Sequence, residues 1–150
     1  MAVTAYWFAP AFISAFDKEI DYLADTIKMQ LHTSSYTPNQ DTHVYHGDLS
    51  AEVANSNGYS TGGVTLGTKS NSSSTNVVTF YHANPVWTST STGFTARIAV
   101  TLDTTPGSSG TNPLLWWMDF GENKTPSGGG TLTISMSGGQ AATITAANAP

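Results

Sequence analysis

The chain has 150 residues, 39% of them apolar and only 10% charged, with a formal net charge of −5 and no cysteine. That length suits one domain with an ordinary core. Five scattered cations, Lys18, Lys28, Lys69, Arg97 and Lys124, cannot neutralise a tract of phosphates or hold the chain on an anionic membrane surface, and without cysteine there are no disulfides and no thiolate metal sites.

Typical domains are about 25% charged. Here Ser, Thr, Asn and Gly take the place of charge. Aromatic residues at 11%, with many β-branched ones, bury enough surface to offset chain entropy, so the composition points to an ordered β-rich domain of extracellular or virion type and not to disorder.

Residues 1–24 read as an N-terminal arm with a short amphipathic helix. The opening MAVTAYWFAPAFISAF is apolar. Pro10 interrupts it and no basic region precedes it, which argues against a signal peptide; no apolar run reaches the roughly 18 residues of a membrane span. Phe12, Phe16, Ile20 and Leu23 follow at spacings of four, four and three. They fall on one helical face, with Asp17, Lys18, Glu19 and Asp21 on the other. Pro10 suits the first turn, and the spacing predicts a helix of about three turns. The triplet Tyr6-Trp7-Phe8 is too apolar for a free tail. It folds back on the domain or docks on a partner.

Residues 25–146 read as a β domain, with 147–150 a tail. Ile27, Met29 and Leu31 alternate with Lys28, Gln30 and His32, as in a half-buried strand. Thr37 to Asp41 is turn chemistry. A loop follows, with a short strand or helical turn near Leu49 to Val53, then a Gly-Tyr-Ser-Thr-Gly-Gly turn and a strand at Val64 to Leu66. The run KSNSSSTN, Lys69 to Asn76, has the composition of a flexible loop tip. Strands are expected at Val77 to Tyr81, Val86 to Thr88 beyond Pro85, and Phe94 to Leu102, with Phe94, Ala96, Ile98, Val100 and Leu102 facing one way. Leu114 to Phe120 is apolar on both faces apart from Asp119, as in a strand covered on both sides. Thr131 to Met136 and Ala141 to Ala146 flank Ser137-Gly138-Gly139, a hairpin signal. The sum is about seven to eight strands plus one helix, the pattern of an antiparallel β-sandwich or barrel-like fold.

Few of the polar residues fall into patterns that carry known chemistries. Asp41, His43, His46, Asp48 and Glu52 lie within twelve positions. They lack the paired spacing of zinc sites and the acidic loop of calcium sites, so the expectation is a solvated polar loop and no metal. No Gly-x-Ser-x-Gly elbow is present, and neither Gly62-Gly63 nor Gly128-Gly129-Gly130 has the lysine of a phosphate cradle. Asp103, Asp119 and Glu122 are the acids of the strand half. Asp119, just before Gly121, is expected to accept backbone N–H groups rather than to act as a general acid. No enzyme activity and no cofactor is expected. Among the tryptophans, one of the adjacent Trp116 and Trp117 fills the core, and Trp87 beside Pro85 is the better candidate for contact with a partner.

The segments DTIKMQLHTSSYTPNQDTHVY, NGYSTGGVTL, NVVTFYHANPVW, FTARIAVTL and NPLLWWMDFGENKT resemble, in order and spacing, a family of short virion proteins. These are encoded among the head genes of siphophages, especially those of actinobacteria. The match spans about residues 25–136. Two departures lie in expected loops: Tyr45-His46-Gly47-Asp48 replaces the usual acidic pair after the first turn, and 67–76 is rich in Ser and Asn. The resemblance implies a capsid decoration or head-associated protein, made in the host cytoplasm. It would sit on the virion against the major capsid protein, in a symmetric or self-associated arrangement, with no nucleic-acid and no membrane partner. On that reading Tyr6, Trp7, Phe8, Phe12 and Trp87 are the expected partner-binding residues. The rivals are a tail- or fibre-associated protein binding the host surface, and a small hydrolase using Asp119 or Glu122.

Overall fold

The structure, a computed structural model, describes residues 4–147. It is a mainly β, sandwich-like domain with one short helix. Strands β1 (Ala5–Trp7), β2 (Ile27–His32), β3 (Val64–Thr65), β7 (Ala96–Asp103) and β8 (Leu114–Lys124) form the main sheet in the order β1-β8-β7-β2-β3. A second sheet, ordered β10-β5-β4, joins β4 (Ser70–Ser74), β5 (Val77–Tyr81) and β10 (Gln140–Thr145). Strands β6 (Val86–Thr88) and β9 (Thr131–Thr133) make a separate pair. Every pairing is antiparallel. The ten strands include two that the composition hides, β1 and β4.

The main sheet is covered on both faces. On its first face Trp7, Trp116, Thr101, Met29 and Val64 stand in register across all five strands. This row belongs to the larger core, with Ile27, Leu31, Met118 and, from the other sheets, Trp87, Ile134 and Ala142; Phe80 packs against it. On the second face Tyr6, Trp117, Val100 and Gln30 are in register. There Ile98, Val100, Leu102 and Leu114 pack with Phe8 and Tyr36, under Leu49 and Ala51. Gln30 and His32 are therefore buried, and β2 is not the half-buried strand expected. Alternation reports the two faces of a strand but not what lies over them.

The expectation that Phe94 to Leu102 presents one apolar face also changes. Phe94 and Ala96 lie in the first core, while Ile98, Val100 and Leu102 lie in the second. A register irregularity between Ala96 and Ile98 turns the alternation over. Opposite it, β8 carries Gly121 at φ 78°, a conformation that glycine adopts without a Cβ clash.

Two further expectations are corrected. Lys69 to Asn76 is not a loop tip: Ser70–Ser74 pair with β5 through a two-residue turn at Thr75 and Asn76, both at positive φ, as hairpin turns of this length require. β9 and β10 do not form a hairpin with each other; β9 pairs with β6 and β10 with β5. Local turn chemistry marks a reversal of direction, but β5 supplies a five-residue partner to β10 that outweighs it. Near Leu49 to Val53 the chain makes a single bridge, Glu52 to His32, after a short 3₁₀ turn at His46–Asp48.

The helix α1 spans Pro10–Phe16, seven residues, not three turns. Pro10 occupies the first turn. Asp17 caps the end, and Lys18 at φ 64° directs the chain out of helical geometry. Ile20 and Leu23 thus lie in the following turn, where the Asp21 carboxylate accepts hydrogen bonds from the N–H groups of Leu23 (3.1 Å) and Ala24 (3.0 Å).

Candidate functional site

The N-terminal segment is part of the sheet. Phe8 is fully buried, its N–H donates to the Leu115 carbonyl (3.0 Å), and the Gln40 side-chain amide donates to the Trp7 carbonyl (2.9 Å). The Trp7 ring meets Trp116 edge-on at 4.9 Å between centroids, and lies 5.3 Å from Phe80 and 5.3 Å from Phe12. Phe8 thus presents no surface to a partner, and Trp7 and Phe12 present part of theirs. Tyr6 is 44% exposed and stacks on Trp117 at 4.9 Å. Trp87, expected at the surface, is 3% exposed within the first core. Its strand neighbours Val86 and Thr88 point outward. Alternation from Pro85 onward could have placed it.

A surface that periodicity misread lies on α1. Its buried residues are Ala11 and Ser14, so the helix rests on the domain through small side chains. The larger ones turn outward: Ile13 is 66% and Phe16 87% exposed, and Leu23 beyond the helix 51%. Phe16 and Phe12 were expected to share one helical face with Ile20 and Leu23. The early end of the helix, and the close approach that Ala11 and Ser14 allow, break up that face.

Of the five candidate metal ligands, His43, His46, Asp48 and Glu52 are each tied to a structural partner of their own. The Tyr36 hydroxyl and His43 Nδ1 are 2.9 Å apart, and Gln30 Nε2 lies 3.1 Å from His46 Nε2. One Asp48 oxygen accepts from the N–H groups of Val44 (2.8 Å) and Tyr45 (2.9 Å), which hold its carboxyl below the usual range. Glu52 accepts from the Tyr59 hydroxyl (2.6 Å) and the Gly62 N–H (2.6 Å), while Tyr59 in turn accepts from the Leu31 N–H (3.1 Å). These bonds fasten the loops at 42–53 and 58–63 to β2. Among the described residues no group of three His, Asp or Glu side chains could hold a metal ion.

His32, beneath this loop, donates from Nδ1 to the Ser50 carbonyl at 2.7 Å. Burial pushes its pKa down, so the ring is held neutral. His82 is buried in the same way, 2.8 Å from the Ala83 carbonyl and stacked on Trp116, with its pKa also lowered by burial.

The strand-half acids separate into two kinds. Asp119 pairs with Arg97 and accepts from the Gly121 N–H at 2.7 Å. The guanidinium holds its carboxyl below the usual range, the wrong direction for a group that must donate a proton at neutral pH. Glu122 pairs with Lys124 at 2.6 Å and is lowered likewise. Asp103 is fully buried at the end of β7. It accepts from the Thr105 N–H (2.7 Å); burial first, and the neighbouring Asp25 carboxyl as well, push its pKa up to about 6. Beside this pair an open hollow of about 480 Å³ is lined by Lys18, Glu19, Asp21, Asp25, Tyr45 and Thr111 among others. Nothing in the chain sequence marks Asp103, because the carboxylate that meets it lies seventy-eight positions away.

No known protein family, no curated protein and no solved structure matches this chain.

Proposed function

We propose that the chain is a structural protein of a bacteriophage particle that decorates the assembled capsid shell. The observation that carries this reading is where the virion-like motifs fall. DTIKMQL holds β2, FTARIAVTL holds β7 and NPLLWWMDFG holds most of β8, three adjacent strands of the main sheet. NGYSTGG is the turn that Tyr59 and Glu52 clamp onto β2. These segments fall on adjacent strands of the main sheet, while NVVTFYHANPVW falls on β5 and β6 of the other two sheets. A strand framework of this kind, sparsely charged and rich in hydroxyls, would act by adhesion. A protein that binds only the assembled shell raises the free energy of disassembly by mass action.

The experiment is to purify empty shells of the encoding phage, sediment them with and without the chain, and then locate the labelled chain on intact particles. Saturable cosedimentation and label on the head support decoration. Label confined to the tail would transfer the chain to the fibre-associated reading.

A further inference from the structure

The face of α1 that should seat a helix on its own domain is turned outward. Ala11 and Ser14 face inward, while Ile13, Phe16 and Leu23 are the most exposed large apolar side chains among the described residues. On another side of the helix, between it and the sheet, an apolar groove of about 150 Å³ is lined by Ala11, Phe12, Ala15, Ile20 and Tyr22 among others. That volume accommodates roughly one aromatic or aliphatic side chain. A soluble domain rarely leaves such side chains together without a partner.

The stretch that directly follows Phe16 is acidic. Asp17, Glu19 and Asp21 are exposed, with Lys18 the single cation among them. Charge sets the occupant. Two copies meeting through this face would bring like-charged stretches together, and anionic lipid or nucleic acid would be repelled in the same way. A protein surface with an apolar centre and a ring of Lys or Arg is complementary in both respects.

We infer that α1 and the turn after it form the seat by which the chain docks on its shell, with Phe16 and Ile13 entering an apolar site on the shell protein that is rimmed by basic side chains. This rests on the decoration reading.

The test compares wild type with Phe16→Ser, Ile13→Ser/Phe16→Ser and Asp17→Lys/Glu19→Lys in cosedimentation with empty shells, at low and high salt. Because Phe16 and Ile13 are exposed, the urea midpoints of their variants should match wild type, which separates docking from folding. The expected result is binding at least about tenfold weaker for Phe16→Ser, weaker still for the double variant. Binding of the charge-reversed variant should also be weaker, and wild-type affinity should fall as salt rises. If wild type binds and all variants bind equally, the seat is elsewhere and the inference fails while decoration stands. If wild type does not bind shells, both fail. If wild type self-associates in solution, Phe16→Ser makes it monomeric and shell binding is unchanged, the face joins copies of this chain and the inference is overturned.

Discussion

The indole N–H of Trp7 donates to the carbonyl of Thr143, 2.8 Å away and 136 positions distant in the chain. This one bond ties β1, the edge of the main sheet, to β10, the edge of the second sheet. It closes the sandwich at the point where the first and last described strands meet.

Trp7 should therefore carry more stability than its half-buried position suggests. Trp7→Phe removes the bond but keeps most of the ring, and should cost about 1 kcal/mol. Trp7→Ala also opens a gap against Trp116 and Phe80 and should cost about 3 kcal/mol. Equilibrium urea unfolding measures both. An unchanged midpoint for Trp7→Phe would show that the indole N–H contributes nothing.

Gly63 sits at φ 71° against β2, where a Cβ would overlap the Met29 carbonyl oxygen. Gly63→Ala must displace either the turn or the strand, and should destabilise by about 2 kcal/mol or more. Gly62 also has positive φ, but open space lies where its Cβ would go. Gly62→Ala should thus cost less, about 1 kcal/mol. Thermal unfolding of the pair decides whether close approach or dihedral preference dominates.

Two buried histidines make the fold acid-sensitive. His32 and His82 have pKa values lowered by burial. The unfolded chain then binds protons that the folded chain refuses, and stability falls as pH drops through about 6.5 and below. The urea midpoint should decline between pH 7.5 and pH 5. His32→Gln/His82→Gln, which cannot titrate, should flatten that decline even if it lowers stability at every pH. An unchanged slope would show that neither ring is the acid sensor.

Asp103 acts in the opposite sense. Its folded pKa, raised to about 6 by burial and by Asp25, lies above the unfolded value. The folded state binds the extra proton, so this group adds stability as pH falls from about 7 to 4 and removes it above that window. Asp103→Asn keeps the shape of the protonated acid and supplies a donor to Asp25. It should stabilise the protein at pH 8 by about 1–2 kcal/mol. It should also make the histidine-driven loss below pH 6 steeper, because the compensating proton uptake is gone. Loss of stability at pH 8 would mean that the carboxylate, not the acid, is the form the fold prefers.

The strands with period-two alternation were legible: Ile27–His32 has the bounds that the pattern indicates, and Leu114 to Phe120 lies within a strand covered on both faces. Ser70–Ser74 was not, because Ser and Asn carry no apolar signal; that segment is a strand because Val77–Tyr81 offers it a hydrogen-bonding edge. Trp87, a contact candidate because it stands beside Pro85, is buried as the alternation of Val86–Thr88 puts it, while Phe16 shares a helical face with Phe12 and is far more exposed. Periodicity ranks residues on an element, but exposure depends on what the element meets.

From the order of residues alone come the β class, the β2 and β8 strands, the turn glycines and the shortage of charge, since each follows from local sterics or from composition. Folding in three dimensions settled the rest: which strand neighbours which, that Asp103 meets Asp25, and that α1 lies on Ala11 and Ser14 with Phe16 outward. Those outcomes depend on contacts between residues far apart in the chain, and the energy of such a contact is a property of the pair, written in neither partner's own surroundings.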